Sequence, residues 1–194
     1  MISSELITGV RAALDRTRYT SITPAGGDAR AAVTLLLGIE EGEPSILFVR
    51  RGEWVNDPWS GHTALPGGHV TPGDGDLMDT ARRELAEEVG LELSRDDYIG
   101  RLNDLRPSAR SPSIVVSPFV ARVEAPVALR PGHEIQGHRW IPIEALRDPA
   151  HRSELSHMTR GLKLMFPSIV YRGFTIWGLT HSVISDFLEI TADL

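Results

Sequence analysis

The chain has 194 residues, of which 41% are hydrophobic, and a formal net charge of −6, so its length suits one domain with a single sizeable core. It contains no cysteine, which excludes disulfides, thiolate metal sites and a cysteine nucleophile. The negative charge argues against a nucleic-acid-binding protein, and no apolar run approaches the roughly 18 residues that suggest a membrane span. We therefore expect a cytoplasmic protein without nucleic-acid or membrane partners.

The first third of the chain predicts a helix, a linker and a β-hairpin. Residues 3–19 have the pattern of an amphipathic helix, and residues 20–29 contain the proline and glycines of a linker. Two apolar runs, 31–39 and 45–51, flank an acidic turn and predict a hairpin. A short strand at 62–65 then leads into a glycine turn, Pro66-Gly67-Gly68. We therefore divide the chain into residues 1–29, a helix with its linker, and a single domain over residues 30–194.

The most informative segment is a helix with one acidic face, directly after the glycine turn. Asp76 suits its N-cap and Gly90 a left-handed C-cap. The acidic face holds Glu84, Glu87 and Glu88, which fall at i, i+3 and i+4 and therefore repel one another. A divalent cation with oxygen ligands is the simplest compensation, and a merely solvated face is the alternative. The opposite face carries an apolar stripe: Met78, Ala81, Leu85 and Val89.

The rest of the chain alternates strands and helices. Residues 98–105, 114–123 and 138–143 predict strands, and a short helix begins at 144. Residues 169–177 predict one more strand, followed by a helix over 180–190. This order favours an α/β fold, an α/β/α sandwich with a mixed sheet.

Residues 83–91, Arg-Glu-Leu-Ala-Glu-Glu-Val-Gly-Leu, resemble the second half of the Nudix hydrolase signature. The first half departs from it, because His69 and Gly75 stand where that signature has its glycine and first glutamate. The step from the glycine turn to the arginine is one residue longer than usual, and Asp74 takes the place of the first glutamate. These departures, together with the C-terminal segment 174–180, are similar to the coenzyme A pyrophosphatase branch. The resemblance supports the sandwich fold.

The resemblance implies hydrolysis of a diphosphate linkage in a small-molecule nucleoside diphosphate derivative, with Mg²⁺ or Mn²⁺ as cofactor. The implied metal ligands are the carboxylates of Glu84, Glu87 and Glu88 and the backbone carbonyl of Gly68. Water activated by the cation and a nearby carboxylate attacks phosphorus. Glu84 is our first choice for that carboxylate. The second choice is Glu134, which precedes a Trp-Ile-Pro strand as in the family.

Other side chains have supporting roles under the same resemblance. Arg83 orients the glutamates and can pair with Glu87 at i+4. Arg51 is our candidate for binding the substrate's phosphates, and a plain surface charge is the alternative. Trp54 and Trp59 could stack on a base or cover the cleft, with ordinary packing as the alternative.

The loop before the glycine turn carries the information on the substrate. The coenzyme A branch has arginine, histidine and glutamine where this chain has Asp57, Trp59 and His62. The reversed charge at Asp57 argues against coenzyme A, whose 3′-phosphate needs cationic partners. The candidate substrates are therefore coenzyme A or an acyl-CoA and, as alternatives, nucleotide sugars, dinucleotides and nucleoside triphosphates. A non-catalytic nucleotide-binding module is the alternative of another class, but the intact glutamate triple favours catalysis. Because the family often dimerises, a homodimer is one possible state.

Overall fold

Ten strands and four α-helices make up the part of the chain that the computed structural model describes: residues 3–52, 61–107, 113–123, 127–159 and 161–194. In chain order they are α1 (Ser4–Thr17), β1 (Ala29–Glu40), β2 (Glu43–Arg51), β3 (Thr63–Ala64), β4 (Gly67–His69), α2 (Leu77–Val89), β5 (Tyr98–Arg101), β6 (Ile114–Arg122), β7 (Ile135–Pro142), α3 (Ile143–Arg147), β8 (Arg152–Thr159), β9 (Leu162–Tyr171), β10 (Phe174–Trp177) and α4 (Gly178–Ile190). None of the helices in these ranges has the length and apolarity that crossing a bilayer demands.

The main sheet has seven strands and is mixed. Its order is β3-β2-β1-β6-β5, with β4 paired to β1 and β7 paired to β2. The strands β1 and β6 run parallel, and the other pairs are antiparallel. The predicted hairpin of β1 and β2 is confirmed. Because β4 also pairs with β1, the glycine turn is held against the middle of this sheet.

Helices cover both faces of the main sheet, which confirms the predicted α/β/α sandwich. Successive side chains of a strand point to opposite faces, so Leu35 and Leu37 of β1 pack with α1 and α4, whereas Leu36 packs with α2. All three leucines are fully buried. Val10 of α1 lies in the same core as Phe187 of α4. The N-terminal helix therefore packs on the sheet rather than apart from it.

The predicted linker is bound to the turn after β5. The amide of Thr20 donates to Asn103 Oδ1 at 2.7 Å, and the amide of Ile22 donates to Asp104 Oδ2 at 2.9 Å. The strand predicted over residues 98–105 ends at Arg101, because Asn103 and Asp104 turn to bind this segment instead of extending β5.

A second sheet, β10-β9-β8, was not predicted. The single strand predicted over residues 169–177 is wrong, because the chain reverses at Arg172 and Gly173, which have φ angles of 44° and 82°. Two consecutive positive φ angles are the geometry of a tight hairpin turn. The preceding strand β8 is largely exposed, so its sequence lacks the alternation that signals a half-buried strand.

Candidate active site

The helix α2 forms as predicted, and its caps fix its orientation. Asp76 accepts a hydrogen bond from the amide of Asp79 at 2.9 Å, and Gly90 has a left-handed φ of 70°. Leu85 and Val89 of the apolar stripe are fully buried against the sheet. The acidic face of α2 is consequently turned toward β4 and the glycine turn.

The backbone of the glycine turn lies directly against the carboxylates of α2. A Cβ atom on Gly68 would lie 2.5 Å from the carboxyl carbon of Glu84. The amide of Gly67 donates to Glu88 Oε2 at 3.0 Å. A side chain at position 68 would occupy the space that the Glu84 carboxylate uses, whereas one at position 67 would meet the backbone of β1. The two glycines therefore belong to the site, Gly67 through its amide and Gly68 through the space that it leaves for Glu84.

Glu88 is the most deeply placed of the three glutamates, with 6% of its surface exposed. Its Oε1 lies 3.3 Å from Arg51 Nη1. Burial raises the pKa of Glu88 to about 7, and repulsion from Glu84 and Glu134 adds to this effect. The Gly67 amide and Arg51 act in the opposite direction. A buried carboxyl that resists ionisation is a common feature of catalytic sites.

Glu84 and Glu87 are both bound by Arg83. Arg83 Nη1 lies 2.8 Å from Glu84 Oε1 and 3.0 Å from Glu87 Oε2, so the predicted pair of Arg83 with Glu87 is confirmed. The side chain of Glu84 is 16% exposed and that of Glu87 is 59% exposed. Burial raises the pKa of Glu84 although Arg83 opposes the shift. Glu87 thus lies on the solvent side of the site and Glu84 on its inner side.

Asp74 holds Arg83 in place, a role that the sequence left open. Arg83 donates from Nε to Asp74 Oδ1 at 2.9 Å and from Nη2 to Oδ2 at 3.0 Å. The amide of Thr71 and the hydroxyl of Thr80 also donate to Oδ2. Hydrogen bonds from Arg83 hold the pKa of Asp74 well below its usual range. The longer step between glycine turn and arginine was the sequence signal for this arrangement.

Asp74→Asn is expected to lower the free energy of unfolding by about 2 kcal/mol or more, because it removes the charge of the buried carboxylate that accepts two hydrogen bonds from the Arg83 guanidinium. The loss should shrink as the pH falls below the ordinary aspartate pKa of 3.8. The unfolded chain binds the proton first, so the stabilisation by Asp74 is present above that pH and is lost below it. Denaturant titrations at several pH values measure both effects.

Asp76→Asn is the matched control, because asparagine caps a helix as well as aspartate does and the Asp76–Arg95 pair is about half exposed. We expect its cost to stay below about 1 kcal/mol. Equal losses in the two variants would contradict the role assigned to Asp74.

Arg51 and Glu134 are brought to the glutamates from distant parts of the chain. Arg51 Nη2 lies 3.7 Å from Glu134 Oε2, and the amide of Gly52 donates to the Glu134 carbonyl at 2.7 Å. The charge of Glu134 contributes to the raised pKa values of Glu84 and Glu88. The predicted catalytic, metal-binding and phosphate-binding residues therefore lie in one region. The predictions for Asp57, Trp54 and Trp59 concern residues outside those the structure describes.

The donor set fits a hard divalent cation. Carboxylate and carbonyl oxygens are the ligands that Mg²⁺ and Mn²⁺ prefer, and Glu84 and Glu88 both have raised pKa values that a nearby cation would offset. With the side chains as they stand, no three acidic or histidine groups of the described ranges converge on a single metal position. Glu84 and Glu87 point to Arg83, while Glu88 points to Gly67 and Arg51.

Known proteins with similar sequences share this chain's family. The sequence model of the NUDIX domain matches residues 28–162. The human protein named mitochondrial coenzyme A diphosphatase NUDT8 is 30% identical over 164 residues, which cover 82% of this chain and 67% of that protein. The uncharacterized Nudix hydrolase NudL of Yersinia pestis is 30% identical over 172 residues, 88% of this chain and 82% of its own length. The chain spans about half (52%) of an uncharacterized Schizosaccharomyces pombe protein that is 27% identical.

Solved structures share the fold. The structure of a MutT/nudix family protein from Enterococcus faecalis has a TM-score of 0.60 at 16% identity and covers 99% of this chain and 76% of its own. At such low identity the similarity shows only that the fold is shared. The family follows from the sequence match and from the 30% identical relatives. The chain belongs to the Nudix hydrolase family and resembles its coenzyme A pyrophosphatase branch.

Proposed function

We propose that this chain uses Mg²⁺ or Mn²⁺ to hydrolyse the diphosphate linkage of a nucleoside diphosphate derivative, with coenzyme A or an acyl-CoA as the first candidate. The observation that carries the proposal is the position of Glu88. It lies between the Gly67 amide and Arg51, and burial raises its pKa, with a smaller contribution from two further carboxylates. An enzyme keeps such an unfavourable cluster where its substrate or cofactor brings the compensating charge.

Glu84, Glu87, Glu88 and the Gly68 carbonyl would hold the cation. When bound, the cation supplies Lewis-acid stabilisation of the charge that develops on the phosphate oxygens. The three glutamates differ in burial, so we expect them to contribute unequally. Glu88 and Glu84 are the inner ligands in this proposal, and Glu87 is the exposed one.

Glu84 is our first candidate for the base that accepts the proton of the attacking water. Burial raises its pKa, and a base with a pKa nearer to the working pH transfers protons more effectively. Glu134 is the second candidate, because it is half exposed and adjacent to Arg51. Arg51 would bind a substrate phosphate with its planar guanidinium. The contact between Arg51 and Glu134 is 3.7 Å long and therefore weak. A phosphate oxygen of the substrate would replace Glu134 as the partner of Arg51 at little cost.

Two observations bear on the substrate in opposite directions. The human relative is named a coenzyme A diphosphatase, which favours coenzyme A or an acyl-CoA here. Asp57 reverses the charge of the coenzyme A branch in the loop before the glycine turn, which favours a derivative without a 3′-phosphate. Nucleotide sugars, dinucleotides and nucleoside triphosphates therefore belong in the same test.

The purified chain with Mg²⁺ or Mn²⁺ is expected to cleave at least one of these: coenzyme A, acetyl-CoA, ADP-ribose, a diadenosine polyphosphate or a nucleoside triphosphate. Products are identified by chromatography and mass spectrometry, and a chelator should stop the reaction. The compound with the highest kcat/KM identifies the substrate class. Metal-dependent binding without any turnover would instead support the non-catalytic module.

A further inference from the structure

Four rings meet on one face of the second sheet, whose edge strand β10 lies beside β3. The ring centroid of Trp177 lies 4.8 Å from that of His62, 4.8 Å from that of His157 and 5.7 Å from that of Phe166. The two imidazole centroids are 6.4 Å apart. We call His62, His157, Phe166 and Trp177 the ring cluster. It is separate from the carboxylates described above.

The ring cluster lies on the face of the second sheet that is turned away from the core. Trp177 is paired with Ser168, and alternation along β9 places Phe166 on the same face. Ile169 and Ile176, on the opposite face, are fully buried in the core. His157 is exposed, and the other three rings are half-buried. The cluster therefore presents accessible ring surface.

A short path of contacts joins the ring cluster to the catalytic carboxylates. The amide of Arg51 donates to the carbonyl of His62 at 3.0 Å, and the guanidinium of Arg51 contacts Glu88. The hydroxyl of Thr180, near the start of α4, donates to the carbonyl of Thr63 in β3 at 3.3 Å. Arg51, at one end of this path, can therefore contact phosphates, while the ring cluster at the other end offers aromatic surface.

The two ends of this path have complementary chemistry. Arg51 and the carboxylates around it are suited to phosphates and a cation, and they include no aromatic ring for a nucleobase to stack on. Indole, imidazole and phenyl rings stack on heteroaromatic bases, and such stacking contributes about 1–3 kcal/mol per base. Phe166 and Trp177 lie beyond residue 162, where the NUDIX match ends. The C-terminal sheet thus supplies ring surface that the matched domain does not include.

We infer that the ring cluster binds the nucleobase of the substrate while Arg51 and the carboxylates bind its diphosphate. This inference rests on the proposed function and deepens it, because it assigns base recognition to the second sheet together with His62, which directly precedes β3. His157 is the most informative residue for a test, since its side chain is exposed and its removal leaves the core intact.

The test compares two non-cleavable probes in the presence of Mg²⁺, by calorimetry: α,β-methylene-ADP and ribose 5-(α,β-methylene)diphosphate, which differ only in the adenine. The wild-type chain is expected to bind the adenine probe more tightly. His157→Ala and Trp177→Leu should reduce that preference by about tenfold and leave the affinity for the base-free probe unchanged. His151→Ala is the matched control, because its ring contacts an aromatic ring of the same sheet, Tyr171, at a similar centroid distance of 5.1 Å but lies outside the ring cluster. It should change neither affinity.

Equal affinity of the wild-type chain for the two probes would overturn the inference, as would a His157→Ala variant that weakens both probes equally. Because the probes are not cleaved, the result does not depend on turnover. A base preference that His157→Ala removes, in a chain that hydrolyses nothing in the substrate panel, would contradict the proposed function and support the inference. Hydrolysis of a compound in the panel without any preference for the adenine probe would support the proposed function and contradict the inference.

Discussion

Glu88→Gln is expected to lower kcat/KM by at least about a thousandfold without lowering the free energy of unfolding. Glutamine keeps the shape of the side chain and can still accept the hydrogen bond from the Gly67 amide, but it carries no charge for a cation. The fold should not suffer, because burial already disfavours the ionised form of Glu88 and raises its pKa to about 7. An activity loss with stability kept is the result that distinguishes a functional carboxylate from a structural one.

Initial rates on the best substrate of the panel and denaturant titrations of the metal-free chain measure the two effects. Glu92→Gln, just after α2 on an exposed position, is the matched control and should keep wild-type activity. Glu84→Gln and Glu87→Gln complete the series, and we expect the exposed Glu87 to give the smallest loss. Robust metal-dependent turnover in all three site variants would contradict the assignment of the site.

The helix α2 and its neighbours could be predicted because their signals are local. Caps at Asp76 and Gly90 and the apolar stripe determine where the helix begins, ends and points. The hairpin of β1 and β2 is equally local, since two apolar runs flank an acidic turn. The family signature added what periodicity could not, namely that Glu134 would lie near Glu84 and Glu88 although it is distant in sequence.

The features of the fold and of the site that could not be predicted depend on contacts between segments that are distant in sequence. Glu84, Glu87 and Glu88 look alike in the sequence, yet only the packing of α2 on β4 makes Glu88 buried and Glu87 exposed. The two hydrogen bonds from Arg83 to Asp74 depend on the path of the loop after β4. The second sheet escaped prediction because β8 has no buried face and therefore no pattern.

Gly67→Ala is expected to destabilise the chain by at least about 3 kcal/mol, through strain and a backbone clash together. Gly67 has a φ of 154°, and a Cβ atom there would lie 2.3 Å from the carbonyl oxygen of Ala32 and 2.6 Å from Val33 Cα. These are backbone atoms of β1, the strand that pairs with both β2 and β6, so they cannot move aside without disturbing the centre of the sheet. Relief of the clash would instead move β4 away from β1.

Gly73→Ala, in the loop that follows β4, is the matched control, because a Cβ atom there meets nothing within 4 Å, and we expect its effect to stay within about 0.5 kcal/mol. Denaturant titrations of both variants without metal give the comparison. Since the Gly67 amide is also the donor to Glu88, the fraction of Gly67→Ala that folds should be less active than the Gly73→Ala variant at equal folded concentration. A folded and fully active Gly67→Ala variant would show that the turn can shift without moving Glu88, and the backbone of Gly67 would then have no part in the site.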